Sequence, residues 1–187
     1  MLKRMIGASL LRASVYEEVE RATNATLQAA LVVVMVSITT VLGSYFILGG
    51  ESLFYVAIMG IISGLVRWAA WAFVANLVGT KLFNTENTHS NWGQMARGTA
   101  FAQTPGVLLA LCFIPGSVLI IAPIVTIWQC TAMIVAVKQV LDYDHLTGKF
   151  MSVPISTWRA IAVVAVGLLI VVIPILILTL ITGVSPQ

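Results

Sequence analysis

Charged side chains are what this sequence has least of. It holds 10 Lys or Arg and 7 Asp or Glu in 187 residues, 9% in all, against about a quarter in soluble domains. No polar stretch is long enough to enclose a core of its own in water, so a separate water-soluble domain is not expected. The net charge of +3 is scattered over the connections rather than gathered in a patch, which argues against a nucleic-acid surface. Histidine is nearly absent: His89 and His145 both fall in polar connections. The long apolar runs contain no His, Asp or Glu to activate a serine, so no catalytic residue is assigned and an intramembrane hydrolase is set aside. Asp142, Asp144 and His145 are metal-binding residue types, but one short cluster reads as a solvated loop, and no metal or cofactor is expected. Cysteine is limited to Cys112 and Cys130. Placed on their helices, the two differ in depth by roughly 15 Å, beyond the ~7 Å that a disulfide spans, so both read as small apolar packers. A clean signal-peptide run is also missing, because Lys3, Arg4 and Arg12 interrupt the first residues.

What the sequence does have is apolar length. Fully 59% of the residues are hydrophobic and the mean hydropathy is +1.01, which predicts an all-α integral membrane protein. Apolar runs at 27–49, 53–79, 98–114, 117–138 and 157–181 approach or exceed the roughly 20 residues of a membrane crossing, predicting a bundle of five transmembrane helices over 27–187. Residues 1–26 are expected to form short cytoplasmic or interfacial helices. Leu2, Met5, Ile6, Leu10 and Ala13 share one face, with Lys3, Arg4 and Arg12 beside it and Leu11 out of pattern. Ser14 and Glu17 have capping-box spacing for a second helix. Asn91 and Gln94 mark another helix start, and Pro115-Gly116 a tight turn. Lysine and arginine fall in the N-terminal segment and in the connections around 81–97 and 138–159, while Glu51 is the only charge in the others. That asymmetry predicts a cytoplasmic N-terminus and an outside C-terminus.

One charge defies the pattern. Arg67 stands alone in the run 53–79, roughly 18 Å from its inner boundary, where a cation costs about 3 kcal/mol or more and needs a partner. On a helical wheel it shares a face with the Gly60-xxx-Gly64 pair, and small residues at that spacing let helices approach closely in lipid. With no carboxylate in any run, neutral acceptors must serve. Gln103, Thr104 and Gln129 lie near the same depth, and Pro105 cannot donate to the carbonyl of Phe101, which frees that oxygen. The expectation is a polar layer in which Arg67 donates to Gln103, Thr104, Gln129 and the Phe101 carbonyl. Such a layer can tie helices together, or it can hold an anion, a lipid headgroup or a partner carboxylate.

Several stretches resemble the Yip domain family, the Yip/Yif group of membrane proteins. They are Val15–Ala29 (VYEEVERATNATLQA), Trp68–Phe83 (WAAWAFVANLVGTKLF) and Gly98–Leu108 (GTAFAQTPGVL), extended by Trp128 with the run to Asp142 and by Ser156–Ala160. The order of these pieces, with five spans, covers nearly the whole chain. The resemblance implies a non-enzymatic membrane protein, and the compact form implies a bacterial member in the cytoplasmic membrane. Eukaryotic relatives act in vesicle trafficking between endoplasmic reticulum and Golgi and engage Rab-type GTPases, in part through a long N-terminal region. Here that region has only about 26 residues and lacks the family's Asp-Leu-Tyr-Gly-Pro motif, so GTPase binding does not carry over. The first functional reading is therefore a membrane-organising or interaction protein whose partners are membrane lipids, another protein or a second copy. The second is a small transporter or a lipid- or anion-binding protein built on the Arg67 layer. Against it stand the odd number of spans, the single intramembrane charge and the lack of a visible inverted repeat.

Overall fold

A computed structural model describes residues 1–44, 53–85, 88, 90–143, 149–150 and 153–182. Among them the chain forms helices α1 (Leu2–Ser9), α2 (Ala13–Arg21), α3 (Ala25–Ser44), α4 (Leu53–Lys81), α5 (Trp92–Ala102), α6 (Val118–Val140) and α7 (Ile155–Thr182). A two-residue antiparallel pairing of Lys149–Phe150 (β1) with Val153–Pro154 (β2) precedes α7. The fold is otherwise helical. Helices α3, α4 and α6 are long and apolar enough to cross a membrane, and they match three of the expected runs. In α7 the apolar stretch among the described residues is Ile155–Ile170. His89, His145, Glu51 and Asp144 lie outside the described residues.

The third run departs from expectation. It was expected as one continuous span, but α5 stops at Ala102, and Thr104–Phe113 continues as a 3-10 helix. Proline 105 is the cause: without an N–H it cannot bond to the carbonyl one α-turn back. The Thr104 hydroxyl donates to the Phe101 carbonyl instead, at 2.6 Å. Ten residues is a long 3-10 run, and at about 2 Å per residue it covers roughly 20 Å of depth. The capping box at the other end of α5 forms as its spacing predicts, with Gln94 N–H donating to Asn91 Oδ1 and Asn91 N–H to Gln94 Oε1.

The start of α2 also differs. The helix opens at Ala13, one residue early, and Ser14 and Glu17 make no capping box. A backbone corner replaces it, in which Leu11 adopts φ 58° and the Val15 N–H donates to the Arg12 carbonyl. Leu11 falls out of the amphipathic pattern because the helix has already ended. In α1 itself Met5 turns inward, while Leu2, Ile6 and Leu10 stay exposed.

Packing follows membrane rules. Helix contacts bury small residues such as Ala72 and Ala75 in α4 and Ala132 and Ala136 in α6, whereas Phe54, Ile62, Phe73, Leu119 and Ile127 face outward. Lipid offers apolar side chains as good an environment as the protein does, so close backbone approach rather than side-chain burial holds the helices. The closest partner of α3 is the 3-10 segment. At Gly43 the α3 backbone lies against the Leu109 carbonyl, and an added methyl would meet that oxygen head on. Gly43→Ala should therefore lower stability in detergent micelles by roughly 1–3 kcal/mol, read as a drop in the thermal midpoint.

Candidate functional site

Two polar assemblies interrupt the apolar bundle, one at mid-depth and one at the end from which α5 starts. The first gathers around Arg67. A cleft of about 270 Å³ is lined by Ser37 and Thr40 of α3, Gly64, Arg67, Trp68 and Trp71 of α4, Gln103, Gln129, Cys130 and Met133 of α6, and Val164 and Leu168 of α7. Close packing of α4 on α3 shapes one wall: a methyl on Gly64 would strike Ser37 Oγ, and one on Gly60 would come within 2.6 Å of Val41. Trp68 is buried and its indole N–H donates to the Ala96 carbonyl at 2.9 Å; Trp71 points its own at Met133 sulfur, 3.3 Å away. These bonds fix the two rings beside the arginine.

The fold thus brings Arg67, Gln103 and Gln129 to one cleft. Thr104 and Pro105 are buried and do not line it. The hydrogen bonds expected from Arg67 do not form among the described residues. Gln129 Nε2 donates to the Gln103 carbonyl at 3.1 Å, and Thr104 occupies the Phe101 oxygen. Arg67 is exposed in the cleft and donates to no described residue. At the break between α5 and the 3-10 segment the Phe101 carbonyl faces the Thr104 hydroxyl and the Gln103 carbonyl faces α6.

The second assembly was not anticipated. Arg97, 7% exposed, reaches from α5 to the C-terminal end of α2. Its Nε donates to the carbonyls of Val19 (3.1 Å) and Glu20 (3.2 Å), another guanidinium nitrogen also binds the Glu20 carbonyl, and Nη1 donates to Thr26 Oγ1 at 3.3 Å. A cation at a helix C-terminus satisfies orphan carbonyls and complements the dipole. Glu20, 6% exposed, accepts from Gln94 Nε2 at 3.0 Å. Burial first, then the nearby Asp142 charge, pushes the Glu20 carboxyl up to about 7. Burial likewise pulls the Arg97 guanidinium down, which Glu20 opposes. Tyr143 closes the same end: it is buried, its hydroxyl donates to the Phe83 carbonyl at 2.7 Å, and desolvation pushes it up to about 12. One signal for this anchor was in the sequence. Ala96, Gly98, Thr99 and Ala100 make the surroundings of Arg97 small on every side, as a helix enclosed by others requires.

A family model described as the Yip1 domain matches residues 10–178. No curated protein and no solved structure matched the chain.

The anchor makes two expectations. Arg97→Met should free the end of α2 at a cost of roughly 2 kcal/mol or more and speed limited trypsin cleavage after Arg12 and Arg21; Arg97→Lys should restore only part of the protection, because one ammonium cannot span the same carbonyls. For Glu20 the raised folded value means that between about 4.5 and 7 the native state keeps a proton the unfolded chain has lost. Stability from this group is complete below about 4.5 and is lost as pH rises through about 7. Glu20→Gln, which keeps the acceptor for Gln94, should raise the thermal midpoint over wild type near pH 8. That gain should fade towards pH 5.

Proposed function

The chain belongs to the Yip1 domain family, membrane proteins not known as enzymes, and from that premise we propose that it works by interaction, as a membrane-organising component or a subunit of a larger membrane complex. The match over residues 10–178 carries this reading. In this reading the chain divides into N-terminal helices over 1–26 and a membrane domain over 27–187. In this reading the 3-10 segment with α5, and α7, complete a five-span topology alongside α3, α4 and α6. Lys3, Arg4, Arg12 and Arg21 would then lie on the cytoplasmic side with Lys81, Arg97, Lys138 and Arg159, as the positive-inside rule requires. The membrane is a bacterial cytoplasmic membrane, and the partners are its lipids together with another protein or a second copy.

The contact surface is the cytoplasmic end. Helices α1 and α2 are held there as a rigid shelf: Arg4 pairs with Glu18 at 2.8 Å and donates to Gln28 at 3.0 Å, Tyr16 donates to the Ala8 carbonyl at 3.0 Å, and Trp128 to the Ser9 carbonyl at 2.8 Å. A preformed shelf lowers the ordering cost of docking. Affinity purification in mild detergent followed by native mass spectrometry tests the proposal. A reproducible partner or a discrete oligomer is expected, weakened by Arg97→Met; a clean monomer with nothing bound would sink it. For topology, alkaline phosphatase fused after Gln187 should be active in a bacterial host and the same enzyme inserted after Asn84 inactive.

A further inference from the structure

The cleft around Arg67 has a charge and donors with nothing to hold. Arg67 lies 14 residues from either end of α4 (Leu53–Lys81), about 21 Å along the axis from each. A side chain at that depth cannot snorkel to the phosphate level of either leaflet. Its five N–H groups donate to no described residue. The carboxamide of Gln103 and the hydroxyl of Ser37 also make no hydrogen bond to a described residue, although both line the same space. No Asp or Glu occurs in α3, α4, the 3-10 segment, α6 or α7, so a second copy cannot bring a carboxylate to this depth from its own spans.

The walls narrow the choice of ligand. Helices α3, α4, α6 and α7 all contribute lining, so the cleft, about 270 Å³, lies between packed helices. One cation calls for one negative charge, and the guanidinium fork fits a carboxylate with two parallel hydrogen bonds. Beyond the donors the lining is apolar, from Val36, Met133, Val164 and Leu168, and suits a hydrocarbon chain. A carboxylic acid, unlike a phosphodiester, can enter hydrocarbon neutral and ionise when it meets the arginine, since a neighbouring cation favours the charged form.

We propose that this cleft is a binding site for a monocarboxylate amphiphile of the fatty-acid class, with the carboxylate on Arg67, further donors from Gln103 and Ser37, and the chain along α7. The site is independent of the interaction surface at the cytoplasmic end.

Cys130 lines the cleft and is exposed, which supplies a native reporter. In a Cys112→Ala protein in lipid nanodiscs, the rate of Cys130 alkylation by N-ethylmaleimide is followed by intact mass, with laurate or dodecanol added. Laurate at ten times its dissociation constant should slow labelling about tenfold, while dodecanol, of equal chain length and no charge, should leave it nearly unchanged. Arg67→Gln should abolish the laurate effect, and Arg67→Lys should retain part of it. Equal slowing by laurate and dodecanol, or no slowing by either, overturns the proposal, as does undiminished laurate protection in Arg67→Gln. Should Arg67→Gln fail to fold, the laurate and dodecanol comparison on the Arg67 protein decides by itself.

Discussion

A missing hydrogen bond at Pro105 governs the middle of this molecule. An α-helix running on from Asn91 would have its next donor there, and proline has none. The α5 helix therefore closes at Ala102, the Thr104 hydroxyl takes the Phe101 oxygen, and the chain leaves in 3-10 form. The slimmer winding lets α3 come close enough for Thr39 to donate to the Gly106 carbonyl at 3.3 Å and for Gly43 to lie on the Leu109 carbonyl. On the other side it presents the Gln103 carbonyl to Gln129 of α6. Three helices are thus joined through backbone groups that an uninterrupted helix would have used internally.

The same break explains why the bundle has an open middle. Gln129 and Thr104 donate to backbone carbonyls, no described residue accepts from Arg67, and Trp68 and Trp71 are pinned to Ala96 and Met133 rather than free to cover it. At the end where α5 begins the opposite holds. Arg97 is fully engaged, because the carbonyls at the end of α2 are an acceptor set no apolar helix interior can offer. Two arginines in the same chain thus differ in role through what lies opposite them. One closes a structure, and the other leaves a charge exposed within the bilayer-spanning part.

Glu20 ties that closed end to pH. Its carboxyl is buried among Gln94, Arg97 and the charge of Asp142, so the shelf of α1 and α2 is most secure when the group keeps its proton. The apolar ridge of Leu2, Ile6 and Leu10 on the shelf remains uncovered, next to the basic residues Lys3, Arg4 and Arg12. An interfacial position matches both features.

Much of this could be read from residues in order. Hydropathy and run length are local quantities, so α3, α4, α6 and α7 fall within about five residues of where the apolar runs place them; the Asn91–Gln94 cap, closed within one turn, forms as spaced, and the Yip resemblance is carried by contiguous stretches. The convergence of Arg67, Gln103 and Gln129 was also foreseeable, since helical rise fixes depth. Which donor meets which acceptor was not. That choice depends on distances of a few tenths of an ångström between segments far apart in sequence, as Gln129 to Gln103 and Arg97 to Val19 show. The path after Pro105 was not legible either, because proline forbids one hydrogen bond without specifying how the chain continues, here as a 3-10 segment packed between α3 and α6. Composition and periodicity thus determined that this chain lives in a membrane as a helical bundle, and tertiary packing decided that Arg97 is satisfied and Arg67 is not.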